Sequence, residues 1–263
     1  MRRLLRGVVK TAAMAATATV GDNSLFVVTY LMRLLRVFLF FALWRTLFAG
    51  REEVGGYTLA KTLTYTLISE VCHDLLNCRT WLETSFWDGS IATRFLRPMG
   101  VFVQFTAEWA GATVFHFCVF SVPLLLCAPL LGVSFLPQSV GAGGLFLVSL
   151  FLAVLVGLGL EFVFSGVAIA LRIHPYIFNG VREAVGGLLS GAFLPLALLP
   201  FGLEKVFVWL PFASQASAPL SLFTGNAHVV RTLGLQLFWA VALGALAQWL
   251  WRINRERMVS YGG

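Results

Sequence analysis

Charge is what this 263-residue chain has least of: Asp, Glu, Lys and Arg together make up 12% of it, and lysine occurs only at Lys10, Lys61 and Lys205. A soluble domain carries about a quarter charged residues, so the shortage excludes an ordinary water-exposed globule. None of the three lysines stands in a GxxxxGK[ST] phosphate cradle. The chain is therefore not expected to be an enzyme or to bind ATP itself. There is no HExxH and no CxxC pair, and His73, His116, His174 and His228 lack metal-ligand or catalytic spacing. No metal, cofactor or catalytic group is expected in this chain. Cys72, Cys78, Cys118 and Cys127 fall in or beside apolar segments and read as small buried side chains.

What is abundant is apolar: 59% of the residues are hydrophobic. The 19 Lys+Arg exceed the 12 Asp+Glu. In a soluble protein such an excess would suggest nucleic acid; in so apolar a chain it marks the ends of membrane spans. The expected partner is the lipid bilayer, not nucleic acid.

A spanning helix needs about 20 apolar residues. Six candidates meet this or come close: about Leu25–Ala49, about Leu59–Leu76, Val101–Leu131, Gly143–Leu171, a fifth beginning near Ala184, and about Val229–Trp251. Between the last two, Pro195, Pro200, Pro211 and Pro219 interrupt the pattern. Residues 201–225 are too broken to span simply, and irregular backbone at membrane depth survives only when covered. They read as a re-entrant or interfacial hairpin. The expected fold is thus an all-α integral membrane protein of six transmembrane helices, forming a single domain over residues 1–263.

Lys and Arg set the orientation. With the N-terminus inside, the inner side holds twelve basic residues (Arg2, Arg3, Arg6, Lys10, Arg79, Arg94, Arg97, Arg172, Arg182, Arg252, Arg255, Arg257). The outer side holds four, Arg51, Lys61, Lys205 and Arg231. Both termini are expected to be cytoplasmic, with residues 78–100 as the longest inner loop and 201–225 outside. Arg33, Arg36 and Arg45 lie within the first apolar run, so the first helix is expected to start later than hydropathy suggests, with Arg33 and Arg36 snorkelling inward. Residues 1–22 open on MRRLLRGVVK, and Lys10 interrupts the apolar core a secretory signal would need. They read as an interfacial helix in the inner headgroup layer.

The inner loop, CRTWLETSFWDGSIATRFLRPMG, has the makings of a short helix: Thr84 or Ser85 at one end, a turn at Asp88-Gly89, and Pro98 as a stop. Topology alone would account for its arginines. It would not account for Trp81, Phe86 and Trp87, since exposing three large rings calls for lipid headgroups or a docked partner.

The string WDGSIATRFLRP resembles the G-x-[IL]-x-x-x-[LF]-[LV]-R-P signature between the second and third spans of ABC-2 type permeases, in the six-span branch of daunorubicin and viologen exporters. SGAFLPLALLPFGLEKVFVWLPF (190–212), APLSLFTG (218–225) and the terminal YGG are similar to that branch in the same order. The resemblance covers essentially the whole chain. It implies half of an exporter in the bacterial cytoplasmic membrane, in which two permeases, identical or homologous, pair above two separate ATP-binding subunits that hold ATP and Mg. The loop and the N-terminal helix would contact those subunits, with Trp87, Asp88, Gly89, Arg94, Arg97 and Pro98 carrying the coupling. The broken hairpin would close the outer end of the path of an amphipathic or drug-like substrate.

Ionisable groups inside spans cost about 2.5–3.5 kcal/mol each on insertion scales, so each calls for a role. Glu161 lies ten residues from Leu171, roughly 15 Å from the inner end and near the midplane. Glu108 and His116 are eight residues apart, broadly on one helix face. These three are the candidates for the substrate path, or else they pair between helices. The many glycines of 141–191 read as sites of close helix contact. A channel or intramembrane enzyme would need a polar stripe or catalytic constellation, and neither occurs. A passive assembly or anchoring protein would explain the hydropathy but not the ordered strings.

Overall fold

The computed structural model describes residues 2–21 and 26–260 and is almost wholly helical. The terminal YGG and the expected end of the N-terminal segment at Asp22 lie outside the described residues. Helix α1 (Arg2–Gly21) leads to α2 (Phe26–Leu47). Strands β1 (Glu53–Val54) and β2 (Tyr57–Thr58) then pair antiparallel, Glu53 with Thr58 and Val54 with Tyr57. Gly55 and Gly56 both take positive φ, the backbone a two-residue hairpin turn demands.

Thr58 caps α3 (Leu59–Val71), its hydroxyl accepting from the Lys61 N–H, and a break at Cys72 separates α3 from α4 (His73–Leu76). Two short helices follow, α5 (Leu82–Trp87) and α6 (Ile91–Phe95). Helix α7 (Val101–His116) passes through a π turn at Phe117–Ser121 into α8 (Val122–Cys127) and a 3₁₀ turn at Ala128–Leu131. Pro123 accounts for the irregularity: it has no N–H to offer the preceding turn and its ring crowds the carbonyl there.

Helix α9 (Val140–Leu171) is capped by Ser139, which accepts from the Ala142 N–H at 3.1 Å. At 1.5 Å per residue its 32 residues measure about 48 Å, longer than the roughly 30 Å hydrocarbon core. Then come α10 (Pro175–Leu189), α11 (Glu204–Phe207), α12 (Pro211–Gln215), α13 (Ser217–Phe223) and α14 (Val229–Ser260). Among the described residues, three helical runs are long and apolar enough to cross a membrane, Val101–Leu131, Val140–Leu171 and Val229–Arg255. The expected third, fourth and sixth spans begin within three residues of these.

The fifth element departs from expectation. Helix α10 starts at Pro175, nine residues before Ala184, and ends at Leu189. His174 caps it through Nδ1, and Pro175 at the first position suits a helix start. Hydropathy misses this start because Asn179 and Arg182 interrupt the apolar pattern, yet both turn inward to buried partners. The expected hairpin 201–225 divides in two. Residues 201–206 are exposed around Phe201, whereas 213–217 and most of 219–224 are buried against α3, α9 and α14. The backbone carbonyls just after α10 find side-chain donors: Tyr65 donates to Gly191 O at 2.7 Å and Ser69 to Ala192 O at 2.6 Å.

The first helix also differs. Helix α2 begins at Phe26, so Arg33 and Arg36 sit inside it rather than before it. Each meets a carboxylate on a neighbouring helix. Arg33 makes a two-toothed ion pair with Asp74 at 2.5 and 2.8 Å, and Arg36 pairs with Glu70 at 2.8 Å. A neutralised pair between neighbouring helices removes the need to reach the headgroups.

The α9–α14 contact is the most extensive between helices. A Cβ on Gly159 would stand 2.8 Å from Leu243 Cβ, and one on Gly166 would stand 3.1 Å from Leu250 Cβ, so these glycines set the approach. Polar clamps hold both ends. The Gln236 amide donates to Ser149 O and Ser214 O while its oxygen accepts from the Ser149 hydroxyl, and Asn254 donates to Gly166 O at 2.9 Å.

Candidate functional site

Residues 78–100 fold as a compact platform. Leu82, Phe86 and Ile91 on α5 and α6 are buried with Phe105 of α7, Phe162 and Ile169 of α9 and Ala247 of α14. This apolar underside fixes the loop, and part of its opposite side is exposed. Asp88 ends α5 and accepts the Ser90 N–H at 2.9 Å. The Ser90 hydroxyl and N–H hold the Asp88 carboxyl below its usual value of 3.8, so this small stabilisation is complete at neutral pH and lost as pH falls through the lowered value. Gly89 takes φ of +77°, which links the two helices at a sharp turn; a Cβ there would touch nothing within 4 Å.

The outer face carries Trp87, half-exposed, with Asp88, Leu96 (86% exposed), Arg97 and Pro98. Trp87 also meets the His174 ring edge-on at 5.0 Å, which ties the loop to the start of α10. Arg94 turns the other way. Its guanidinium lies 4.0 Å over the Phe105 ring and pairs with Glu108 at 2.7 Å, while Arg97 stands 3.8 Å from the same carboxylate. Of the six coupling candidates, the structure puts Trp87, Asp88, Arg97 and Pro98 at the surface and Arg94 beneath it.

Glu161 is 1% exposed and fully engaged. One oxygen accepts from the Thr80 N–H at 2.6 Å and hydroxyl at 2.8 Å; the other pairs with Arg182 at 2.6 Å. Arg182 also donates to the Cys78 carbonyl. Beside it, Glu83 accepts from Ser165 at 2.8 Å and Asn179 at 3.2 Å. Because loop residue Thr80 bonds Glu161, this carboxylate sits at the depth of the loop and not at the centre of α9. Thr80, Glu83 and Asn179 go unmarked in the sequence, and Arg182 stands there only as an inner-side basic residue and not as the partner of Glu161. The available signal was that a carboxylate and an arginine in apolar runs each need a partner.

Glu108 and His116 lie on one face of α7 but not in one pair. His116 Nδ1 is 3.9 Å from Asp74, beside the Arg33 pair, and its ring and the Arg33 guanidinium both lie against Phe120 of the π turn. Both residues border a cavity of about 750 Å³ bounded by α1, α2, α4 and α7. Among the described residues no cluster of three His, Cys, Asp or Glu could hold a metal ion. The site offers buried polar ties beneath an exposed face made of Trp87, Asp88, Leu96, Arg97 and Pro98.

Three long apolar runs, buried ion pairs between helices and a structured loop at their ends define a multi-pass membrane protein. The chain matches the family model described as ABC-2 family transporter protein over residues 34–262, and it belongs to that family. It is accordingly the membrane-embedded permease component of an ABC transporter, a type that works with ATP-binding subunits. No curated protein matches the chain.

Proposed function

We propose that this chain is the six-span permease half of an ATP-driven exporter of the bacterial cytoplasmic membrane. It pairs with a second permease, the same or homologous, above two ATP-binding subunits that carry ATP and Mg, and it moves an amphipathic or drug-like substrate. The spans are α2, α3–α4, α7–α8, α9, α10 with the turns after it, and α14, in one domain with both termini cytoplasmic. Helix α1 lies in the inner headgroup layer, and the exposed part of 201–225 lies outside.

The observation that carries this reading is the loop platform. Two short helices stand on a buried apolar base and present Trp87, Asp88, Leu96, Arg97 and Pro98 to the exterior. A solvated linker needs no such base, and a docking surface does. Motion of the ATP-binding subunits would reach α9 and α10 through Glu161, Thr80 and Arg182. We assign Glu161 to that tie and not to the substrate path; Glu108 and His116 face the inner cavity. The test is co-purification of the ATP-binding subunits with permease variants. Arg97→Glu and Trp87→Ala are expected to insert and fold but to lose their partners, by about tenfold or more in affinity. Full partner recovery with both variants would leave the loop a linker and remove the basis for the reading.

A further inference from the structure

We propose that the cavity bounded by α1, α2, α4 and α7 binds the phosphate-bearing headgroup of an anionic membrane lipid. The inference rests on the membrane-spanning assignment and not on the exporter reading. Four arginines reach the cavity, Arg33, Arg79, Arg94 and Arg97, against two carboxylates, Asp74 and Glu108. Both carboxylates are spent: Asp74 on Arg33 and Glu108 on Arg94. Arg97 makes only a long ion pair with Glu108, 3.8 Å and beyond hydrogen-bond distance, so its half-exposed planar donors can turn to an anion in the cavity. Arg79 pairs with Glu183 at 3.0 Å and stacks 3.9 Å from the centre of the Trp81 ring, but its buried Nε has no partner. A guanidinium fork with free N–H groups matches a phosphate ester better than any other common anion except a carboxylate.

The remaining walls choose a lipid over a free phosphate. Trp81 and Trp109 line the cavity, and tryptophan belongs at headgroup depth. Met14, Ala15 and Ala18 of α1 add an apolar side on which glycerol and the first acyl carbons can lie. At about 750 Å³ the space far exceeds a bare phosphate ion. Its position also fits, because it is flanked by the end of α4, the loop at Asn77–Trp81 and the loop after α6, where spans give way to connecting chain.

The test uses the full chain purified in a neutral detergent. Phosphatidylglycerol or phosphatidylcholine with the same acyl chains is added, and retained lipid is counted by native mass spectrometry beside a thermal melt. One phosphatidylglycerol per chain is expected to be retained, and phosphatidylcholine much less. Arg97→Gln should weaken retention roughly tenfold, since a charge-assisted bidentate contact is lost. Ala112→Trp, which fills the cavity from α7 without changing its charge, should abolish retention while the melt stays near wild type. Arg231→Gln, at the far end of the molecule, should change nothing. Equal retention of the two lipids, or retention unaffected by Arg97→Gln and Ala112→Trp, would overturn the proposal. Inorganic phosphate displacing the lipid and stabilising the chain equally well would overturn the lipid assignment.

Discussion

Glu161 shows how much a single residue's reading depends on what it meets. With Arg182 at 2.6 Å and both nearly free of solvent, removing one partner leaves the other as an uncompensated buried charge. Glu161→Gln should therefore destabilise by about 3–5 kcal/mol, read as a fall of roughly 10 °C in the apparent melting temperature. Replacing both partners, Glu161→Leu with Arg182→Met, should recover most of that loss. Normal stability of the single variant, with loss of substrate-stimulated ATP hydrolysis in the complex, would return Glu161 to the substrate path. The sequence marks Glu161, Glu108 and His116 as costly in lipid, and that much is legible because hydropathy needs no partner. Their partners are not legible: Thr80 is 81 residues from Glu161, and Asp74 is 41 from Arg33. Only the packing of helices brings such groups together.

At the scale of elements, the runs beginning at Val101, Gly143 and Val229 are legible because they are long and predominantly apolar. Helix α10 and the turns after it are not, since buried Asn179 and Arg182 break the apolar pattern and four prolines break the helix. The association of α1 with α7 is likewise hidden, because it depends on small residues. Gly7, Val8, Thr11, Ala12, Ala15 and Ala16 are the half-buried stripe of α1, and a Cβ on Gly111 would overlap the Ala12 carbonyl. No flexible side chain can yield there. Gly111→Leu should therefore displace α1 without unfolding the bundle. A cysteine pair at Gly7 and Met99, in a background without the four native cysteines, should cross-link readily in the wild-type contact, because a Cβ on Gly7 would stand 3.1 Å from Met99 Sδ. The cross-link yield should fall several-fold with Gly111→Leu; an unchanged yield would mean that α1 is held elsewhere.

For the whole molecule, the twelve-to-four distribution of basic residues predicts that residues 78–100 lie inside and the β1–β2 hairpin outside. Single cysteines at Ser90 and Glu52 should then label oppositely with an impermeant reagent on intact cells, the Glu52 site readily and the Ser90 site only after permeabilisation. The reverse pattern would invert the protein. Partner dependence is the central claim, and ATP hydrolysis reads it most directly. The chain purified alone should hydrolyse no ATP, because its three lysines leave no phosphate cradle, and the assembly with ATP-binding subunits should hydrolyse it. Carrying Arg97→Glu into that preparation should leave the permease folded and the subunits unbound. ATP hydrolysis by a rigorously partner-free preparation, or a complex that assembles and turns over normally with the loop reversed, would contradict the account.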